Sequence, residues 1–368
     1  MPKGFDFNER PFLVIWETTR ACDLACAHCR AEAIAEPDVD ELTTDEGLKL
    51  IHDVKALGAP IFIFSGGDPL KRADIYELIT HAQSLGLKTG AIPAVTPSLT
   101  AEKIKKLKEA RLGQIAFSLD GATAKEHDAF RGIPGIFDRT MEAIRWAGEA
   151  GLPVQINSLV NVHNTESFDA LIELVEKLPI VFWELFFLIP MGRGKELPLL
   201  SAKAFEEAFK KIYQVEKKRR FIVKVTEAPH YRRFVKEKEA ENTASSNGAP
   251  ISHHQGVHAH IGLAPSGVNS GKGFVFVSRR GEVMPSGFLP IAVGDIRKQS
   301  LADIYRHAPL MRELRDVSLL KGKCGLCQYA DLCGGSRSRA YAMTGDYLAE
   351  EPCCVYEPAM HPQPHIDA

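Results

Sequence analysis

Three cysteines near the amino terminus have a spacing that suits a metal centre. Cys22, Cys26 and Cys29 follow one another as C-x3-C-x2-C, shortly after the apolar run Phe12–Trp16. A loop that leaves a buried strand can wrap three thiolates at this spacing around one centre. Iron–sulfur clusters bind cysteine thiolates, normally four. Three ligands on a 4Fe-4S cluster therefore leave one iron open, and an open metal position is where chemistry can be done.

Two other interpretations of these three cysteines stay open. They could form a structural zinc site, or they could be unrelated core residues. A structural zinc ion takes four ligands, and the nearest candidate, His28, adjoins Cys29 in the sequence. Adjacent residues cannot easily ligate one ion together, so the spacing favours an iron–sulfur site.

A second set of cysteines lies near the carboxyl terminus. Cys324, Cys327 and Cys333 are spaced C-x2-C-x5-C, and the pair Cys353 and Cys354 follows. Four thiolates ligate one cluster fully, and such a closed site suits electron transfer or structure. Neighbouring cysteines can rarely both reach one cluster, so the fourth ligand is ambiguous. A zinc site made from the same residues is the alternative.

Composition limits the class of protein. The chain has 368 residues, of which 45% are hydrophobic and 25% charged, as in soluble globular proteins. The formal net charge of −2 gives no reason to expect a nucleic-acid or membrane partner. No apolar run is long enough to span a bilayer, and the first residues lack the apolar core of a signal peptide. We therefore expect a cytoplasmic protein whose eight cysteines are metal ligands rather than disulfides.

Short apolar runs alternate with amphipathic segments over the first half of the chain, which predicts an α/β fold with a parallel sheet. The predicted strands are Phe12–Thr19, Ile61–Ser65, Thr89–Ile92, Gln114–Leu119, Val154–Val160 and Val181–Leu188. The predicted helices are Thr44–Leu57, Ala73–Leu85, Ala101–Ala110, Ile136–Ala150 and Thr165–Leu178. These six units fall short of the eight of a closed (β/α)8 barrel.

The second half of the chain is less regular. We predict a helix over Ser201–Lys218, a strand over Phe221–Thr226 and a loop over residues 236–272. A β-hairpin follows from Phe274 to Met284, and then a helix near Leu301–Leu314. We therefore divide the chain into a barrel at 1–200, a helical linker and loop at 201–272, and a cysteine-bearing domain at 273–368.

The amino-terminal cysteines and the strand end Ser65-Gly66-Gly67-Asp68-Pro69 resemble the motifs of the radical S-adenosylmethionine (radical SAM) superfamily. The family has Gly-Gly-Glu-Pro at this strand end, and Asp68 replaces the glutamate here. The resemblance implies a partial (β/α)6 barrel, open on one side. It implies that the open iron binds the amino and carboxylate groups of SAM, and that the reduced cluster cleaves SAM to a 5′-deoxyadenosyl radical. A low-potential electron donor such as ferredoxin or flavodoxin would reduce the cluster.

The resemblance also assigns contacts to SAM, all of them near the ends of predicted strands, where α/β barrels gather ligand residues. Glycine lets the backbone approach a ligand closely, arginine matches a carboxylate with two donors, and residues two apart on a strand share a face. The expected SAM contacts are Gly66, Gly67 and Asp68 for the amino group, Ser118 and Arg131 for the carboxylate, Gln155 and Asn157 for the ribose, and Ile189 for the adenine.

The carboxyl-terminal cysteines resemble the SPASM/Twitch extensions of radical SAM enzymes that mature peptides or modify tetrapyrroles. The closing Pro-x-Cys of that family points to Cys354 as the fourth ligand. Fuller members have further cysteines where this chain has Ser286 and Ser336. The resemblance therefore implies one auxiliary 4Fe-4S cluster rather than two.

The whole chain looks similar to the haem synthases of the alternative, sirohaem-based haem pathway. Those enzymes oxidatively decarboxylate two propionates of an iron porphyrin to vinyl groups. The segment from His230 to Arg233 is then the expected substrate contact, with His230 as an iron ligand and Arg232 or Arg233 on the propionates. Tyr231 lies in the same segment, and Arg193, after the sixth strand, is a further substrate candidate. Histidines 253, 254, 258 and 260 are weaker iron-ligand candidates.

Two alternatives to the haem-synthase hypothesis stay open. The same architecture serves peptide-modifying enzymes, although these often carry a peptide-binding module before the barrel. A non-catalytic iron–sulfur or zinc protein is the other alternative. Such a carrier would have no need of the Gly66-Gly67 strand end beside an open cluster, and measured binding of SAM would separate it from an enzyme.

Overall fold

One sheet runs through the whole molecule. The computed structural model describes residues 5–218, 220–245 and 267–359. The strands are β1 (Leu13–Glu17), β2 (Ile61–Ser65), β3 (Lys88–Ala91), β4 (Gln114–Ser118), β5 (Val154–Val160), β6 (Phe182–Phe187), β7 (Ile222–Thr226), β8 (Asn269–Ser270), β9 (Gly273–Val277), β10 (Glu282–Met284) and β11 (Gly294–Asp295).

Helices cover this sheet and connect its strands. The α-helices are α1 (Thr44–Leu57), α2 (Ile75–Ser84), α3 (Ala101–Glu109), α4 (Ala124–Arg131), α5 (Ile136–Glu149), α6 (Phe168–Val175), α7 (Ala202–Lys217), α8 (Tyr231–Ser245), α9 (Leu301–His307), α10 (Pro309–Glu313), α11 (Gly322–Gly325) and α12 (Arg337–Thr344). Short 3-10 helices span Pro69–Lys71, Gly192–Glu196 and Val317–Leu319.

The strand order confirms the partial barrel. Strands β1 to β7 pair with their sequence neighbours, all in parallel, and β9 pairs in parallel with the other side of β1. Within the described ranges β7 and β11 lie at the two ends of this path, so the barrel stays open. The strands are apolar because both faces are covered; all seven residues of β5, for example, are buried.

Close packing holds the first helix against the first strand. Thr43 caps α1 in a capping box with Glu46, and Gly58 ends the helix in the left-handed conformation. Gly47 lies on the buried face of α1, where a Cβ atom would be 2.7 Å from the ring of Trp16. Trp16 has no exposed surface. This contact fixes β1, from whose end the cysteine loop departs.

The sheet differs from the sequence prediction in its extent. The structure adds β7 to the six expected parallel strands, and β9 extends the sheet on its other side from within the segment assigned to the third domain. Hydrogen bonds between Phe12, β1 and β9 therefore cross the expected boundary at residue 273. The cysteine-bearing segment is joined to the barrel through shared sheet, which a linear division of the sequence does not reveal.

Three smaller differences concern helices. Helix α4 was not predicted. The helix predicted near 301–314 is two helices, because Ala308 precedes Pro309 and takes an extended conformation. The predicted loop over 236–272 begins as part of α8, and residues 246–266, with the four candidate histidines of that loop, lie outside the described residues. No helix in the described part of the chain is long and apolar enough to cross a membrane.

Candidate active site

The amino-terminal cysteines open into a cavity at the carboxyl ends of the barrel strands. This cavity, which we call the cysteine-loop cavity, has a volume of about 270 Å³ and is lined by Cys22, Cys26 and Cys29. Six of the eight expected SAM contacts line the same cavity: Gly66, Gly67, Ser118, Arg131, Asn157 and Ile189. Residues separated by more than 160 positions in the sequence are thus brought to one space by the parallel strands.

The glycines after β2 allow the cysteine loop to pack against that strand end. The Gly67 amide donates to the carbonyl of Thr19 at 2.8 Å, and the Asp68 amide donates to that of Ala21 at 2.7 Å. A Cβ atom on Gly67 would lie 2.3 Å from the Ala21 carbonyl oxygen. A side chain at Gly67 would therefore push away the segment that leads directly into Cys22.

A second brace comes from the segment after β6. Gly192 has a φ of +52°, and a Cβ atom there would lie 2.5 Å from the Cys29 carbonyl oxygen. The Arg193 amide donates to that carbonyl at 3.1 Å, and its Nε donates to the Cys26 carbonyl at 3.0 Å. The Arg193 side chain lines neither of the two larger barrel cavities, and its Nη2 has no hydrogen-bond partner among the described residues. The assignment of Arg193 to the substrate therefore stays a prediction.

Arg131 lines the cysteine-loop cavity as part of a buried polar cluster. Its guanidinium forms an ion pair with Asp120 and donates to the Cys26 sulfur at 3.5 Å. Burial alone would raise the pKa of Asp120, but the Arg131 guanidinium holds it below its ordinary value. Since Asp120 also accepts from the Leu159 amide at 2.7 Å, it joins the ends of β4 and β5.

Asp120 and His127 are site residues to which the sequence analysis assigns no role. Burial lowers the pKa of His127 to about 4, so its ring is neutral, and Nδ1 accepts from the Asp120 amide at 3.1 Å. The signal that could have found them is a carboxylate directly after a predicted strand, with a histidine seven residues later. Only the fold shows that Arg131 is the partner of that carboxylate.

Two expected SAM contacts turn away from the cysteine-loop cavity. The Asp68 side chain accepts from the amides of Leu70 and Ala94, at 3.1 and 3.3 Å, and does not line the cavity. Burial raises the pKa of Asp68 to about 6. Gln155 lines a different cavity, although it does share a strand face with Asn157 and donates to its side chain at 2.6 Å. The SAM contact predicted for Asp68 is one of its backbone, which the direction of its side chain does not test, and the contact of Gln155 with the ribose stays a prediction.

Gln155 belongs to an adjoining cavity, which we call the barrel cavity. Its volume is about 170 Å³, and most of its walls are aliphatic or aromatic. Five side chains line both cavities and form the common wall: Ile15, Ile92, Phe186, Phe274 and Phe288. The two cavities therefore adjoin one another inside the barrel.

The charged groups of the barrel cavity lie on β6 and β7 and in the segment after β7. Glu184 accepts from Lys224 at 2.7 Å and from Gln155 at 2.9 Å, so this acid is fully engaged. Arg232 donates to the carbonyls of Leu332 and Val268, at 3.1 and 2.7 Å. It forms no ion pair with a described carboxylate, and burial lowers its pKa from the usual arginine value. A half-buried cation without a described ion-pair partner therefore lines a largely apolar cavity.

The four residues of the predicted substrate segment 230–233 have different surroundings. Of the four, only Arg232 lines the barrel cavity. His230 has no exposed surface and packs against the rings of Phe205 and Phe209, whose centroids lie 5.2 and 5.0 Å away. Tyr231 donates to Glu216 at 2.6 Å. Arg233 pairs with glutamates 206 and 237. A helix directs successive side chains to different sides. The assignments of His230, Tyr231 and Arg233 to the substrate gain no support from the barrel cavity and stay predictions.

The carboxyl-terminal cysteines surround a much smaller space. Cys324, Cys327, Cys333 and Cys354 line a cavity of about 20 Å³. Cys353 does not line it, and its thiol lies 3.9 Å from the Leu200 carbonyl oxygen. Burial raises the pKa of the Cys354 thiol to about 11. The geometry favours Cys354 over its neighbour as the fourth ligand.

Backbone amides and buried arginines surround these thiols. The Cys324 sulfur accepts from the Glu351 amide at 3.3 Å, and the Cys333 sulfur accepts from the Gly335 amide at 3.4 Å. Arg339, which has no exposed surface, donates to both carboxylate oxygens of Glu351 at 3.1 and 3.2 Å. Amide donors of this kind are a common way for proteins to adjust the potential of an iron–sulfur cluster.

Both cysteine sets fit a cluster better than a single ion. No three Cys, His, Asp or Glu side chains within the described ranges converge tightly enough to hold one metal ion. The thiols of each set instead face a shared cavity. Because a 4Fe-4S cluster binds each cysteine at a separate corner, its ligands must surround a space rather than meet at a point.

Comparison with known proteins identifies the family. Residues 16–178 match the model of the radical SAM superfamily. The AdoMet-dependent heme synthase of Methanosarcina barkeri is 40% identical over 95% of this chain and 97% of its own length. The chain belongs to the radical SAM superfamily. It is an enzyme that uses a 4Fe-4S cluster and SAM, and the similarity to the haem synthases extends over nearly the whole chain.

Other radical SAM proteins are more distant. The PqqA peptide cyclase of Methylocella silvestris is 28% identical over 95% of this chain and 88% of its own length. The crystal structure of Streptococcus suis SuiB bound to S-adenosylmethionine aligns with a TM-score of 0.72 at 14% identity, covering 95% of this chain and 78% of that chain. At this identity the structural likeness shows the fold, and it includes the carboxyl-terminal part.

Proposed function

We propose that this radical SAM enzyme oxidatively decarboxylates propionate side chains of an iron porphyrin to vinyl groups. The observation that carries the proposal is the apolar barrel cavity, which adjoins the cysteine-loop cavity and contains Arg232 without a carboxylate partner among the described residues. A porphyrin has a broad apolar face and carboxylates at its edge. The 40% identity to an AdoMet-dependent heme synthase supports the same substrate class.

The residues of the chain divide the work between the two cavities. Cys22, Cys26 and Cys29 would hold the open cluster, while Ser118, Asn157 and Ile189 line the space for SAM. When bound, the cluster and SAM supply a 5′-deoxyadenosyl radical. The common wall of the two cavities, which is mostly aromatic, keeps water away from the radical and the substrate. Exclusion of water protects a reactive radical from side reactions.

Arg232 orients the substrate in this scheme. A charge-assisted hydrogen bond from its guanidinium to one propionate holds the porphyrin edge in the barrel cavity. Loss of a hydrogen atom from a second propionate side chain, followed by loss of CO2 and one electron, leaves a vinyl group. Arg232 also donates to the carbonyl of Leu332, next to Cys333. The substrate edge would therefore lie towards the carboxyl-terminal cysteines, which we assign to one closed auxiliary cluster that suits electron transfer.

Anaerobic turnover tests the proposed function. Reconstituted enzyme, iron coproporphyrin, SAM and dithionite are combined, and the porphyrin is analysed by mass spectrometry. We expect the successive loss of two CO2 units, each with two hydrogens, together with 5′-deoxyadenosine. SAM cleavage without porphyrin binding at micromolar concentrations would overturn the porphyrin assignment. In the cell, we propose that a ferredoxin- or flavodoxin-like donor replaces dithionite.

A peptide substrate is the second candidate, because the fold is shared with SuiB and the sequence with a peptide cyclase. The lower identity of the peptide cyclase, 28% against 40%, makes it the weaker one. The same mass analysis on a cell extract incubated with the reduced enzyme and SAM would reveal a modified peptide.

A further inference from the structure

Glu227 is a half-buried acid to which the proposed function gives no role. It directly follows β7 and lines the barrel cavity together with Arg232. Its φ is +60°, in the left-handed region that a glutamate rarely adopts. Residues held in such conformations persist only where the surrounding structure determines them, and they concentrate at functional sites.

Serines of the carboxyl-terminal part hold this carboxyl group. The hydroxyl of Ser336 donates to Oε2 at 2.6 Å, and that of Ser338 donates to Oε1 at 3.2 Å. The hydroxyl of Ser286 is a more distant neighbour, 3.5 Å from Oε1. Two of these serines, Ser286 and Ser336, are the residues that stand where fuller relatives have cysteines. This chain therefore uses those positions to hold a carboxyl group.

The two oxygens of Glu227 are not equivalent. Oε2 has one short hydrogen bond, whereas Oε1 has only longer ones and keeps capacity for another partner. Arg339 binds the Glu227 backbone carbonyl at 2.7 Å, not the carboxyl group. Within the described ranges the carboxyl group of Glu227 therefore has no ion-pair partner.

The environment of Glu227, burial first of all, favours its neutral form. Burial raises its pKa, and Glu351 adds to the rise, while Ser336, Arg339 and Ser338 oppose it; the result lies above the ordinary value. The other charged groups of the barrel cavity are Arg232 and the pair of Lys224 with Glu184. Of these, Lys224 is already neutralised by its partner.

We propose that Glu227, as a neutral acid, donates a hydrogen bond from Oε1 to a substrate carboxylate in the barrel cavity, beside the carboxylate that Arg232 binds. This inference rests on the proposed function, and it makes Glu227 a residue that selects a substrate with several carboxylates. A neutral donor adds a hydrogen bond without a further charge. An ionised glutamate would repel the same group.

Binding measured against pH tests the role of Glu227. Iron coproporphyrin is titrated into the full-length protein between about pH 6 and about pH 9, followed at the Soret band. The wild type should bind tightly at low pH, and its Kd should rise by up to about tenfold per pH unit above the pKa of Glu227. Glu227→Gln, whose amide donates at every pH, should give a flat profile. Glu149→Gln, on the surface of α5, is the matched control and should behave as wild type.

Two further measurements separate a substrate contact from a structural role. Ser338→Ala removes a donor that stabilises the carboxylate, so the pH dependence should move to higher pH. The tetramethyl ester of iron coproporphyrin has no carboxylate, and its binding should be the same in wild type and Glu227→Gln at every pH. Melting temperature and iron content establish that each variant is folded.

The outcomes distinguish this inference from the proposed function. No binding of iron coproporphyrin to the wild type would overturn the proposed function and the role of Glu227 with it. Normal binding with the same pH dependence in wild type and Glu227→Gln would overturn the role of Glu227 alone. An unchanged profile in Ser338→Ala would likewise count against it.

Discussion

The two cysteine sites differ in how much space their thiols enclose. The amino-terminal set opens into a cavity of about 270 Å³, whereas the carboxyl-terminal set surrounds about 20 Å³. The first consists of three thiols on one loop, and the second of four thiols brought together from short helices and turns. An open site leaves room for a ligand beside the metal centre, and a closed one does not. The first site therefore suits chemistry, and the second suits support or electron transfer.

The surroundings of the two sites also make the amino-terminal site the more open one. The cysteine loop is held from outside by backbone contacts with the segments after β2 and β6, which leaves the inner face free. The carboxyl-terminal thiols are approached from all sides, by amides of Glu351 and Gly335 and by His230. A site meant to bind a substrate-sized ligand cannot be enclosed in this way.

The largest expected effect comes from removing a thiol of the open site. Cys26→Ala should abolish reductive cleavage of SAM, because the cluster loses one of its three ligands. The iron content should fall from about eight to about four per chain, as expected for two clusters of four irons. Iron analysis and 5′-deoxyadenosine formation measure the two effects. If this variant formed as much 5′-deoxyadenosine as the wild type, the assignment of SAM cleavage to the amino-terminal site would be wrong.

The closed site is tested by its neighbouring cysteines. Cys354→Ser should lose or weaken binding of about four irons, since a serine oxygen is a poor ligand for an iron–sulfur cluster. Cys353→Ser is the matched control and should keep its iron, because Cys353 faces Leu200 instead of the cavity. Iron content and the absorption of the reconstituted variants measure the difference. Equal loss in both variants would mean that the choice of Cys354 is wrong.

Two glycines should disturb the sites separately. Gly67→Ala displaces the segment before Cys22 and should reduce SAM cleavage while sparing the carboxyl-terminal cluster. Gly335 has a φ of +65°, and a Cβ atom there would lie 3.2 Å from the Cys324 sulfur. Gly335→Ala should therefore disturb the carboxyl-terminal cluster and spare SAM cleavage. Each overpacked position should lower the free energy of unfolding by about 1–3 kcal/mol.

A third glycine provides the control for this pair. A Cβ atom on Gly148 in α5 would have no neighbour within 4 Å among the described residues. Gly148→Ala should therefore raise the free energy of unfolding by about 0.5–1 kcal/mol and leave both clusters intact. Chemical denaturation measures all three variants. If each of the two variants Gly67→Ala and Gly335→Ala disturbs both clusters to the same extent, the two sites are coupled, and the expectation that each glycine affects only its own site is wrong.

The smallest effect concerns the space between the two sites. Arg232→Gln should weaken binding of iron coproporphyrin by about tenfold or more, because a hydrogen bond to a charged group contributes about 1.5–3 kcal/mol. SAM cleavage without substrate should be unchanged. Arg233→Gln is the neighbouring control and should bind the porphyrin normally, since its guanidinium faces glutamates 206 and 237. Soret titrations measure both affinities, and equal loss would argue that charge alone, not position, attracts the substrate.

Sequence reasoning was strongest where spacing along the chain carries the information. The C-x3-C-x2-C pattern, the Gly66-Gly67 strand end and the alternation of strands with helices led to the superfamily and to the partial barrel. These features depend on local geometry: a loop around one centre, a close backbone approach and apolar runs between amphipathic helices. They could be predicted because neighbouring residues determine them.

The weaker predictions concern side-chain direction. Residue type alone predicts Arg193, His230, Tyr231 and Arg233 at the substrate, yet none of the four lines the barrel cavity. Arg193, Tyr231 and Arg233 have polar partners elsewhere, and His230 packs among aromatic rings. A carboxylate or a carbonyl far away in sequence decides which side of a helix or loop such a group faces. No local pattern contains that information.

By itself, the sequence determined which groups can do the chemistry and the fold class that positions them. These groups are two sets of cysteine thiols and the glycines that allow the cysteine loop to pack closely against an α/β barrel. Only the tertiary structure decided which groups share a cavity. The parallel pairing of β9 with β1 joins the carboxyl-terminal part to the barrel, and it brings Ser336 and Ser338 to Glu227 across more than 100 residues. The physical reason is that the spacing of the cysteine ligands depends on the local backbone. The burial, the hydrogen-bond partners and the pKa of a side chain depend instead on residues that are distant in the sequence and packed against it in the fold.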